Sequence, residues 1–152
     1  VADSDRQAQL RAYLLGTPSR MTPAGRGLYT GPDLLTLVGE RIYIGIDLPE
    51  GYRPLATDDD PAEDAGPAVL LQISVGGQQP GGPLRRLAIT AHSYAATQEL
   101  ACQVRRALYA RLQDASAPGY RRIWFTEGDR LETEPEPRFW LYVMDRYNAL
   151  NA

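Results

Sequence analysis

The chain has 152 residues, 43% hydrophobic and 23% charged, with a net charge of −3. That is the make-up of one globular domain able to bury about 70% of its unfolded surface. The negative balance argues against a protein that wraps nucleic acid, which needs a basic face to neutralise phosphates. The single cysteine, Cys102, excludes an internal disulfide and a cysteine-built zinc site.

The opening "VADSDRQAQL" lacks the basic and apolar blocks of a signal peptide, so export by that route is not expected. No run approaches the roughly 20 apolar residues of a membrane span, and no membrane partner is expected. A helix is predicted over residues 5–15: Ser4 and Gln7 fit a capping box, and Leu10, Tyr13 and Leu14 share one face. Gly16 and Pro18 stop it. Residues 16–32, rich in glycine and proline, read as a long irregular connection. "DLLTLVG" adds one helical turn between Asp33 and Gly39.

"RIYIGIDLP" alternates Ile42, Ile44, Ile46 and Leu48 on one side, the period of a strand. Residues 49–67 then read as an exposed loop carrying Asp58, Asp59, Asp60, Glu63 and Asp64. Two antiparallel strands follow. The first turns Val69, Leu71, Ile73 and Val75 to one face, and the second turns Leu87, Ile89 and Ala91 inward, with the "GGQQPGGP" turn between them.

The main helix is predicted over 94–113. Ser93 is its expected N-cap, Leu100, Val104, Leu108 and Leu112 form its apolar stripe, and Arg105, Arg106 and Arg111 sit on its polar faces. Two last strands, 121–127 and 138–147, flank a loop over 127–137. The order is α-β-β-β-α-β-β, which specifies an α+β fold. A largely antiparallel sheet of about four or five strands carries one long helix on one face, with an N-terminal helix as well.

The last strands are aromatic on both faces. Phe139, Leu141, Val143 and Tyr147 alternate with Trp140, Tyr142 and Met144, and Ile123 and Phe125 with Trp124. A sheet covered on one face by helix normally turns polar residues outward on the other. Two readings account for the excess. Either the N-terminal helix, or the connection with Leu28 and Tyr29, covers the second face, or Trp124, Trp140, Tyr142 and Met144 meet another subunit.

Chemistry finds little footing. His92 is the only histidine, and it reads as a buried or helix-capping imidazole rather than the base of a nucleophile. No His or Cys spacing suits a transition metal, no glycine loop cradles phosphate, and no cofactor is expected. Between the aromatic runs stand Glu127, Asp129, Glu132, Glu134 and Glu136, beside Pro135 and Pro137. A two-carboxylate hydrolase needs one acid desolvated. Leu131 is the one apolar residue among them, so they are expected to be a solvated hairpin tip, and no catalytic residue is assigned.

Three segments carry a family resemblance: "LTLVGERIYIGIDLPEGY", "GPAVLLQISVGG" and "LRRLAITAHSYAATQELACQVRRALYARL". The "LVGERIY" stretch at 37–43, Pro49, the strand opening at Pro67 to Val69, and the helix from Ala96 to Leu108 follow one another. In that order they resemble the tail terminator, or tail completion, proteins of long-tailed bacteriophages. The resemblance covers residues 8–145. It implies a non-enzymatic virion protein of the tail–neck region, assembled in the host cytoplasm as a homo-oligomeric, commonly hexameric, ring. Such a ring caps the head-proximal end of the tail tube, meets the major tail tube protein and the head–tail connector or stopper, and lets DNA through its lumen without binding it. The acids of the 58–64 loop and of 127–136 are then expected at the lumen or tube rim. Other open readings are a different neck or tail component, such as a head–tail stopper or an injection-system tube cap, and a small carboxylate hydrolase.

Overall fold

A computed structural model describes residues 3–16, 31–45, 47–55, 64–78, 85–113, 117 and 119–151. The elements are α1 (Asp3–Leu14), α2 (Leu34–Val38), β1 (Ile42–Ile44), β2 (Tyr52–Arg53), β3 (Asp64–Ala65), β4 (Ala68–Gln78), β5 (Arg85–Tyr94), α3 (Gln98–Leu112), β6 (Tyr120–Thr133) and β7 (Leu141–Asn151). Five strands form one sheet in the order β1-β4-β5-β7-β6, and β2 pairs with β3 apart from it. β1 runs parallel to β4, and every other pairing in the sheet is antiparallel. The fold is α+β, as the segment order requires.

Period-2 patterning decides what each face of the sheet buries. Val69 and Leu71 of β4, Leu87, Ile89 and Ala91 of β5, and Tyr147 and Ala149 of β7 point to the front face. There Val104, Ala107 and Leu108 of α3 close over them. The leucine stripe thus removes its apolar area from water against the strands, the largest favourable contribution to the fold. Leu10 and Leu14 of α1 and Leu34 and Val38 of α2 join the same core. The N-terminal helix therefore does not cover the second face, and Leu28 and Tyr29 lie outside the described residues.

Several boundaries differ from the sequence reading. Ser93 and Tyr94 belong to β5, paired with Val143 and Tyr142; the N-cap is Thr97, whose hydroxyl accepts from Leu100 N at 3.2 Å. Ser93 is small enough to be buried within the sheet, opposite Val143 on β7. β1 ends at Ile44, because Gly45 with φ 144° turns the chain. Leu48 consequently lands on the back face with Tyr52, not beside Ile42, and Ile46 lies outside the described residues. The loop expected at 49–67 contains β2 and β3. β6 continues through the loop expected at 127–137 as far as Thr133. A bulge makes this possible: the register shifts between Phe125 and Arg130, and Asp129 takes φ 62°.

Two side chains occupy backbone groups at the outer strands. Gln113 Oε1 accepts from Phe125 N on β6 at 2.6 Å, and Arg11 donates from Nε to the Ile42 carbonyl of β1 at 2.7 Å.

Candidate functional site

The back face is where the fold places its aromatic residues. Tyr43 of β1, Tyr94 of β5, and Trp140 and Tyr142 around the start of β7 pack with Leu48, Tyr52 and Leu70. Cover comes from the chain between β1 and β3: Leu48 and Tyr52 fold back over the β1–β4–β5 end. The Tyr52 hydroxyl donates to the Gly66 carbonyl at 2.7 Å, which pins the flap. Trp140 is the hub. Its ring meets Tyr52 edge-on at 5.6 Å and Tyr94 at 6.5 Å, with the Arg138 guanidinium 4.3 Å from its centroid. Such aromatic and cation–π contacts each contribute about 0.5–1.5 kcal/mol beyond area burial.

The four aromatic and sulfur candidates thus divide. Trp140 and Tyr142 belong largely to this second core. Trp124 and Met144 are half-buried and lie outside the buried clusters, on the β7–β6 half that the flap does not reach. Arg122 stacks 5.6 Å from the Trp124 centroid. His92 lies between the two halves, 4.8 Å from the Tyr142 ring and 6.2 Å from Tyr94. It caps no helix. Burial lowers its pKa, against the opposing pull of Glu132 and Glu134.

The acids divide as well. Glu134 is only 8% exposed, contrary to the expected solvated tip. Its carboxylate accepts the Tyr94 hydroxyl at 2.6 Å and pairs with Arg138 at 2.6 Å, and Arg138 in turn reaches Asp47 at 3.1 Å. The hairpin turn folds back onto the aromatic face, so the apolar surround comes from Tyr94 and Trp140 rather than from neighbours in sequence. Glu132 is half-buried, accepts from the Tyr142 hydroxyl at 2.7 Å and pairs with Arg130 at 3.2 Å. Burial first, and Glu132 second, push the Tyr142 pKa up to about 12.

Glu127 pairs with Arg146 at 2.9 Å in the open, and Asp129 and Glu136 are exposed. Asp64 is no loop acid: it holds Arg41 at 3.3 Å and accepts from the Tyr43 hydroxyl at 2.9 Å. Asp58, Asp59, Asp60 and Glu63 lie outside the described residues.

Other charged groups were not singled out by the sequence. Arg111, expected on a polar face of the main helix, is 2% exposed. Asp145 is 1% exposed beneath the β6 bulge, bound by Arg105 Nε at 2.7 Å and by the Asp129 N–H at 2.7 Å. Burial raises its pKa; the Asp129 hydrogen bond and the Arg105 charge oppose that only in part. The one available signal was an arginine-only basic set, whose forked donors suit buried carboxylates better than lysine does.

Around Trp140 opens a groove of about 490 Å³ lined by Leu48, Pro49, Arg53, Pro137 and Arg138. Among the described residues, no three His, Cys, Asp or Glu side chains gather closely enough to hold a metal ion. No helix among them is long and apolar enough to cross a membrane. The fixed carboxylates are held by arginines and tyrosines, an arrangement that positions a hairpin.

Compared with known proteins, the chain matches no family model and no curated protein. Among solved structures it is similar in fold to a chain of the virion of a native gene transfer agent (GTA) particle. The TM-score is 0.53 with 18% identity, over 95% of this chain and 95% of that one.

Proposed function

We propose that this chain is a non-enzymatic structural protein of a phage-like virion. Its copies close into a hexameric ring on the head-proximal end of the tail tube. The ring ends polymerisation of the major tail tube protein, meets the head–tail connector or stopper on its other side, and lets DNA pass through unbound.

The observation that carries the reading is the fold shared over 95% of both chains with a component of a gene transfer agent virion. Trp124 and Met144, half-buried on the part of the back face that the chain's own flap leaves open, are the side chains assigned to subunit contacts, being of the types enriched at interfaces. The engagement of Glu127, Glu132 and Glu134 with arginines and tyrosines supports a role without catalysis. A net charge of −3 suits a channel that must not capture phosphates. The exposed acids Glu127, Asp129 and Glu136 and the half-exposed Glu132 and Asp64 are the ones assigned to the lumen or rim; Glu134 is withdrawn from that role, being buried.

The test is to weigh and image the purified chain, alone and with assembling tube protein, by native mass spectrometry and electron microscopy. The expected result is a ring near six times 16.8 kDa, or tubes arrested in length and capped at one end. A lasting monomer with no effect on tube growth rejects the reading.

A further inference from the structure

We propose that the groove beside Trp140 receives an arginine of a second copy, Arg86 from the opposite end of the sheet. The groove runs between the flap, which supplies Pro49, Glu50 and Arg53, and the hairpin turn, which supplies Pro137, Arg138 and Trp140. Its own cations are engaged. Arg138 is paired with Glu134 and Asp47, and Arg53 donates to the carbonyls of Glu50 and Tyr52 at 2.9 and 2.7 Å. The Glu50 carboxylate is left over: Glu50 is exposed and makes no ion pair among the described residues. Phe139, between Arg138 and Trp140 in sequence, has φ 54°, a left-handed backbone that is an outlier for a bulky residue, and its ring is 58% exposed. Packing within the subunit does little to offset that strain, and strain of this kind collects at binding sites. An unpaired carboxylate next to aromatic rings suits a guanidinium, which pairs with the acid and stacks on a ring.

The chain carries the complementary group. Arg86 of β5 and Arg121 of β6 are exposed and make no ion pair among the described residues. They stand at one end of the sheet, since Arg86 and Arg122 both face Leu150 of β7 in the strand register. The strand ends gathered there, residues 86–90, 120–126 and 147–151, contain no acid to offset them. From Leu141, next to Trp140, to Leu150 the strand covers about 30 Å. That is several times the Debye length of about 8 Å at physiological salt, so the two ends of one copy neither reach nor sense each other. Between copies, the basic end repels its like and is drawn to the unpaired acid. The contact therefore joins unlike surfaces head-to-tail, the kind that closes a ring. In this respect the inference rests on the ring reading above and names the surfaces that would make it.

The experiment measures assembly of the full chain by native mass spectrometry and sedimentation, with thermal melting in parallel. Glu50→Arg and Arg86→Glu each set like charges against one another across the contact and should weaken it about tenfold or more. A chain carrying both changes regains the attraction with its signs exchanged and should assemble close to wild type. Neither side chain has an ion pair to lose among the described residues, so these variants should melt close to wild type. Phe139→Asn keeps a residue type that tolerates the left-handed backbone and removes the ring; it too should weaken assembly without lowering the melting temperature.

Single variants that assemble at wild-type concentrations overturn the inference and leave the ring intact. One that melts far below wild type overturns it too, by showing that the side chain serves its own subunit. A double charge variant no better than either single overturns the pairing of Glu50 with Arg86. A wild type that never associates, alone or on tube ends, overturns both the inference and the ring.

Discussion

Arg111, in the last turn of α3, grips Asp33 at the N-cap of α2 with both arms of its guanidinium, Nε to Oδ1 at 3.1 Å and Nη2 to Oδ2 at 2.9 Å. Its remaining nitrogen donates to the carbonyls of Leu14 and Gly16, where α1 ends. One buried cation thus satisfies orphan carbonyls where α1 ends and braces the carboxylate that caps α2. The Tyr13 hydroxyl returns a hydrogen bond to the Arg111 carbonyl at 2.9 Å.

Asp33→Asn should therefore destabilise the chain by about 3 kcal/mol, because it leaves the guanidinium buried without a counter-charge. Urea denaturation at neutral pH measures it. Burial works to raise the Asp33 pKa, and Arg111 with the Leu35 N–H outweighs it, so the net shift is downward. The stabilisation is present above the ordinary carboxylate value and is lost as pH falls through the lowered one. A loss under about 0.5 kcal/mol, the range of an ordinary surface change, would mean that the clasp is ornamental.

Gly128 has no room for a side chain. A Cβ there would overlap Asp145 Oδ1 and come within 2.8 Å of the Asp145 backbone. Gly128→Ala should cost about 1–3 kcal/mol by overpacking and loosen the bulge. Hydrogen exchange should report faster opening at Asp129, whose N–H is held by Asp145. The buried carboxylate has the opposite pH sign to Asp33. Its raised pKa means that its contribution is greatest in acid and is lost as pH rises through the raised value.

His92 adds a third pH dependence. Burial depresses its pKa, so the folded chain prefers the neutral ring. Its contribution is complete above the unfolded value of about 6.5 and is lost as pH falls through the depressed one. His92→Phe keeps an aromatic ring between Tyr94 and Tyr142. Melting temperatures from pH 7 to pH 5 should then fall less steeply than in the wild type; an unchanged slope assigns the acid sensitivity elsewhere.

Two glutamates two residues apart should behave unlike each other. Glu134→Ala strands the Tyr94 hydroxyl and leaves Arg138 with Asp47 as its counter-charge, and should cost about 2–3 kcal/mol. Glu136→Ala, on an exposed side chain, should stay within about 0.5 kcal/mol. Equal losses in parallel chemical denaturations would contradict the separation.

Periodicity made the layers legible. Val104, Leu108 and Leu112 of the four-residue stripe and the alternation of Val69 with Leu71 enter one core as their periods require, while Leu100, at the start of the helix, packs half-buried beside Ala95, Ala101 and Val143. Capping was less legible, since Ser93 and Thr97 are equally good caps in sequence and only the pairing of Ser93 with Val143 separates them. The aromatic excess in β7 was visible, but not that Leu48 and Tyr52 would return to cover half of it. That fold-back depends on a glycine turn at Gly45 and on a hydroxyl reaching Gly66. Glu134 was misread because its apolar surroundings, Tyr94 above all, come from 40 residues away in the chain. A local window registers solvation by sequence neighbours and is blind to such partners.

The capped outer strands have a consequence for concentrated solutions. A strand arriving beside β6 finds the Phe125 amide already donated to Gln113, and one arriving beside β1 finds the Ile42 carbonyl already claimed by Arg11. Each outer strand thus presents one backbone group fewer to edge-to-edge pairing between crowded copies.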